Sequence, residues 1–167
     1  CAFNTITAWH PIRLAEDFAV ADIVTGGRVI LGVGRGYQSR EVETLGAPLL
    51  DNDANRELFE ESVELLVKAL HEEELQHDGK HFQIPARVPY RGYNVESITV
   101  VPRPIHRPVE IWQAISSGRT IDAMAKRGIK PWDQIATLPD GLRGLEHTRK
   151  IDLEDRVSGL RSMADLQ

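Results

Sequence analysis

Apolar and polar positions change period several times along this chain, and each change marks an element. Residues 2 to 8 are rich in β-branched and aromatic side chains and predict a strand. Pro11 then supplies the fixed φ of a first helical turn. From Ile12 to Val24, the residues Leu14, Ala15, Phe18, Ala19, Ala21 and Ile23 cover more than half of a helical surface, and Arg13, Glu16, Asp17 and Asp22 fill the rest. A largely buried helix is expected, stopped at Gly26-Gly27 by residues that tolerate positive φ. Val29 to Val33 is a short continuous apolar run, the pattern of a buried parallel strand. Strand, helix and strand in this order make a βαβ unit.

A loop rich in Gly, Pro, Asp and Asn runs from Gly34 to Asn55, broken by a helical turn around Ser39 to Leu45. It leads into the clearest amphipathic segment. Phe59, Val63, Leu66 and Leu70 recur at helical spacing, while Glu57, Glu60, Glu61, Glu64 and Lys68 are expected to face water. Asp78-Gly79, between Leu75 to His77 and Lys80 to Ile84, predicts a hairpin with a two-residue turn. The proline-rich stretch from Pro85 to Pro108 reads as an irregular connection with a short strand at Glu96 to Val101. Val109 to Ile115 is a second apolar strand, Ser116-Ser117-Gly118 a tight turn, and Thr120 to Arg127 a helix closed by Gly128. Beyond Lys130 no strand pattern returns, and Leu153, Val157, Leu160 and Ala164 predict a helical tail. The expected organisation is a domain over residues 1–130 and a tail over 131–167.

Composition narrows the chemistry. A chain of 167 residues with 41% apolar residues and 13 glycines falls in the ordinary globular range. Twenty basic against 25 acidic side chains give a net charge of −5, which argues against nucleic acid or an anionic membrane as partner. The single cysteine, Cys1, excludes an internal disulfide and any multi-cysteine metal centre and indicates a reducing compartment, so a cytoplasmic protein is expected. No apolar run approaches a membrane span. A chain that opens on Cys1 and runs directly into a strand reads as cut from something longer.

Two segments are suited to an anion. Gly32-Val33-Gly34-Arg35-Gly36 follows a strand, where absent side chains let backbone amides approach a ligand and Arg35 adds a fixed charge. Its GxGxG spacing is a poor dinucleotide fingerprint. The plain alternative is a tight turn with a surface arginine. Ser116-Ser117-Gly118-Arg119-Thr120 sits between a strand and a helix, so hydroxyls and free N–H groups meet a positive helix terminus, although simple capping by Ser116 or Ser117 explains the same residues. Two such sites at strand ends favour a phosphorylated cofactor. The six histidines form no metal-binding spacing, and no metal ligand is expected. His77 and His81 flank the hairpin turn and should meet water. His10 either caps and packs before Pro11 or faces a pocket.

His10 to Asp17, Asp22 to Tyr37, Leu45 to Pro48, Phe59-Glu60-Glu61, Asp78 to Phe82, Pro102-Arg103-Pro104, Arg107-Pro108 and Ser117 to Gly128 together resemble the luciferase-like flavin monooxygenases. The resemblance implies a TIM barrel using reduced FMN, or in one branch the deazaflavin F420, with molecular oxygen and a small organic substrate, and a flavin reductase as supplier. It implies that Arg35, Ser117, Gly118 and Thr120 hold the flavin phosphate. The matched segments correspond to about the third to fifth βα units of a (β/α)8 barrel, so the fold class is α/β, a partial TIM barrel with a helical C-terminal tail. The strands that carry the family's frequent active-site histidines are not matched, and no catalytic residue is named. A partial barrel has open sheet edges, which implies homo-oligomers, weak or absent FMN binding and impaired activity for this chain alone. The alternatives are a noncatalytic fragment or assembly module, and an F420-dependent oxidoreductase.

Overall fold

The computed structural model describes residues 3–87, 89–114 and 118–132. The backbone contacts divide the chain into Cys1–Val109 and Glu110–Gln167.

The first unit opens with strand β1, Asn4–Thr5, which passes at once into a 3-10 turn over Ile6–Ala8. The expected strand is cut short because Ile6, 1% exposed, is drawn inward and Trp9 N–H closes the turn on its carbonyl at 3.1 Å. Helix α1 spans Pro11–Thr25. His10 caps it, its Nδ1 accepting from the Ile12 N–H at 3.3 Å, and Gly26 ends it at φ 68°. Only one stripe of α1 is buried: Leu14, Ala15, Phe18, Ala19 and Asp22, while Val20, Ile23 and Val24 are exposed. Strand β2, Leu31–Gly34, lies parallel to β1, with Asn4 opposite Val33 and Thr5 opposite Gly34. Asn4 Nδ2 reinforces the pair by donating to the Gly32 carbonyl at 3.1 Å.

A short helix α2, Ser39–Val42, precedes the long helix α3, Asn52–His71. Asp51 caps α3 by accepting from Asp53 and Ala54 N–H groups at 3.2 and 3.0 Å. Phe59, Val63, Leu65, Leu66, Ala69 and Leu70 are buried, and α3 packs on α1 and on the 3-10 turn after β1. Burying each of these side chains larger than alanine contributes about 1.5–3 kcal/mol, which makes α3 the spine of the unit.

The excursion beyond α3 departs from expectation in detail. Strands β3, His77–Asp78, and β4, Gln83–Ile84, are antiparallel, but the connection is the four residues 79–82, closed by Gly79 N–H to the Phe82 carbonyl at 2.9 Å. Glu61 decides this. Its carboxylate, counted by periodicity as water-facing, accepts from the His81 and Phe82 N–H groups at 3.0 and 2.8 Å and lies 3.2 Å from His77 Nε2. A Cβ on Gly79 would collide with that carboxylate. Burial pushes the Glu61 carboxyl up, but these hydrogen bonds outweigh it and the pKa is lowered. His77 is therefore 8% exposed rather than solvated. A second hairpin, β5 Pro89–Tyr90 and β6 Tyr93–Asn94, turns through Arg91 and Gly92 at φ 49° and 88°. The strand expected at Glu96 to Val101 is reduced to one bridge, Leu75 with Ile98. Asp22, another carboxylate expected outside, is buried and accepts from the Ile105 N–H at 2.8 Å.

The second unit contains β7, Ile111–Ala114, helix α4, Gly118–Lys126, and β8, Lys130–Trp132. Strands β7 and β8 are parallel, with Trp112, Gln113 and Ala114 opposite Lys130, Pro131 and Trp132. Ile121, Met124 and Ile129 are buried, and Gly128 turns the chain at φ 66°. The Glu110 carboxylate accepts from Lys130 Nζ at 2.9 Å and Trp112 Nε1 at 2.6 Å, which lowers its pKa. Strand β8 corrects the expectation that no strand follows Lys130: Lys-Pro-Trp has no apolar alternation, so pairing with β7 rather than pattern creates it. The expected tail helix lies outside the described residues. Among the described residues, no helix is long and apolar enough to cross a membrane.

Candidate functional site

Arg35 is the first residue beyond β2, at the end of the strand from which a parallel sheet presents ligand sites. Its conformation is fixed by neighbours in the chain and far from it. Gly36 takes φ 89°, and a Cβ there would collide with Val42 Cγ2 and stand 3.0 Å from Thr5 Cγ2, so only glycine lets α2 and β1 close over this turn. The Arg35 carbonyl accepts from the Thr7 hydroxyl and from Asn55 Nδ2, each at 3.3 Å. The Arg35 side chain is only partly exposed, and its Nη1 is fully buried with no hydrogen-bond partner among the described residues. A guanidinium carries five N–H donors and no acceptor, so this buried nitrogen is left able to donate to an acceptor oxygen. A phosphate, which accepts from a guanidinium at two oxygens, can supply one.

Thr120 lies in the first turn of α4, which follows β7, and Gly118 is the first residue of the helix. Ser117 lies outside the described residues. Arg35 and Thr120 belong to different units, and each is positioned by its own strand and helix. His10 has taken its capping role, with its ring edge-to-face on Phe82 at 5.4 Å between centroids. Among the described residues no group of His, Cys, Asp and Glu could hold a metal. Thr7 and Asn55 were not candidates in the sequence, because their polarity became relevant only through Arg35, 28 and 20 residues away.

The sequence model of the luciferase-like monooxygenases matches residues 1–136. This chain belongs to the luciferase-like monooxygenase family. Among curated relatives, the oxygenase component of a flavin-dependent trigonelline monooxygenase from Acinetobacter baylyi is 31% identical over 64% of this chain and 26% of its own length. An FMNH2-dependent dimethylsulfone monooxygenase from Pseudomonas putida is 29% identical over 74% of this chain and 31% of its own. The solved monooxygenase RslO1 from Streptomyces bottropensis superposes on 95% of this chain and 43% of that one, with a TM-score of 0.70 at 22% identity. The chain thus spans less than half the length of these luciferase-like relatives. Its parallel strands and crossover helices are those of part of a TIM barrel.

Proposed function

We propose that this chain contributes the flavin-phosphate end of an FMN-dependent monooxygenase. The observation that carries the reading is the buried, unpaired Nη1 of Arg35 at the end of β2. Arg35 would hold the phosphate from the end of β2, and Ser117, Gly118 and Thr120 are proposed as further phosphate ligands because their motif resembles the family's, the start of a helix being favourable to an anion. Reduced FMN, when bound, supplies the electrons with which molecular oxygen is activated toward a small organic substrate. The chain's own part is to bind and orient. Arg35 would fix a dianion by charge-assisted hydrogen bonds, and the burial of its Nη1 keeps that contact away from bulk water. FMN is favoured over F420 because an identified relative is FMNH2-dependent. A relative described as an oxygenase component supports a separate flavin reductase as partner.

The phosphate contact can be isolated by comparing FMN with riboflavin, which lacks the phosphate, in fluorescence titrations. Arg35→Ala should lower FMN affinity by roughly 10- to 100-fold, the worth of a hydrogen bond to a charged group, and leave riboflavin unchanged. Equal binding of the two flavins by the unaltered chain, or an unchanged preference in the variant, removes the proposal.

A further inference from the structure

Two long-range hydrogen bonds converge on one main-chain atom, the Arg35 carbonyl oxygen. Thr7, in the 3-10 turn after β1, reaches it through its hydroxyl, and Asn55, in the first turn of α3, reaches it through Nδ2, each at 3.3 Å. Both side chains are buried, and Asn55 has no exposed surface at all. The other arm of the Asn55 amide, Oδ1, is buried without a hydrogen-bond partner among the described residues. A side chain kept for packing would be apolar here, and one kept for hydrogen bonding would use both arms. Asn55 does neither fully, and such a local inconsistency is expected where a residue serves a site.

What these side chains hold is the orientation of the peptide unit between Arg35 and Gly36. Rotation about the Arg35 Cα–C bond sets the carbonyl direction relative to the Cβ, and Gly36 is confined on the other side by Val42 and Thr5. With the carbonyl held from two elements, the direction of the Arg35 Cα–Cβ bond, from which the side chain sets out toward its guanidinium, is fixed too. We infer that Thr7 and Asn55 are positioning residues for the Arg35 guanidinium and, resting on the flavin-phosphate reading above, for the phosphate end of the cofactor. They touch neither phosphate nor flavin, so their effect must pass through Arg35.

The preference for FMN over riboflavin is the readout, measured in the 167-residue chain and in Thr7→Val, Thr7→Ser, Asn55→Ala, Arg35→Ala and the double variant Arg35→Ala with Asn55→Ala. Thr7→Val and Asn55→Ala should each lower the preference by about 3- to 10-fold, the loss of one modest hydrogen bond, with riboflavin affinity unchanged. Thr7→Ser keeps the hydroxyl and should keep the parent preference. In the Arg35→Ala background, Asn55→Ala should add nothing. Arg35→Ala losing the preference while Thr7→Val and Asn55→Ala retain it overturns this inference alone. So does a parallel fall in both flavins, which marks a structural role, or full additivity in the double variant. A parent without preference, or an Arg35→Ala variant that keeps it, removes the phosphate reading and this inference together. Should Asn55→Ala fail to fold, the isosteric Thr7→Val decides.

Discussion

Single residues carry the sharpest constraints around β2. Gly36→Ala combines a positive φ with a collision against Val42 and should cost about 1–3 kcal/mol, read as a lower urea midpoint with an unchanged slope. An unchanged midpoint would mean that α2 gives way. Arg35 was legible in the sequence because its signal is local: a cation among glycines immediately after an apolar run. Thr7, Asn55, Glu61 and Asp22 were not, since periodicity sorts side chains by polarity and is blind to main-chain groups that arrive from elsewhere, a carbonyl for Thr7 and Asn55 and N–H groups for Glu61 and Asp22. Glu61 and Asp22 lie on turns of their helices where a polar residue normally means water. In each case the partner is an N–H group of the excursion, supplied from 20 or more residues away.

At the scale of elements, the far end of α3 is closed by the proline-rich segment. Arg103 donates to the His71 carbonyl at 3.0 Å and to the Glu72 carbonyl, and the His71 ring accepts at Nε2 from the Val109 N–H at 3.0 Å. That bond requires a neutral ring. Burial lowers the His71 pKa below 6.5, and the positive charges of Arg103 and Arg107 lower it further. The unfolded chain therefore binds a proton that the folded chain refuses, and stability present above about pH 6.5 is lost as the pH falls toward the folded value. The parent's thermal midpoint should drop more between about pH 7.5 and 5.5 than that of His71→Gln, whose amide oxygen accepts at either pH. Equal drops would sink this. Both long helices were legible from their periodicity and end signals, whereas the hairpins were legible only in place. Asp78-Gly79 has the composition of a two-residue turn, yet Glu61 draws the chain into a longer one. The turn actually built on two positive-φ residues is Arg91-Gly92, where an arginine hid the signal.

For the whole molecule, an ordered run of motifs made the family legible, while β8 escaped because Lys130-Pro131-Trp132 shows no strand pattern. Among the described residues β1 is paired by β2 and β8 by β7, each along one side. Open edges of this kind seek further strands, so the 167-residue chain alone should associate with increasing concentration in light scattering; a constant monomer mass would refute this. The excursion between His71 and Val109 holds a different consequence. Its return limb is sewn to the first 75 residues by Asp22 with Ile105, Leu75 with Ile98, Arg103 with the end of α3 and His71 with Val109. Trypsin cutting after the exposed Arg91 should therefore leave a nicked chain whose two pieces travel together through a native column and part only in denaturant.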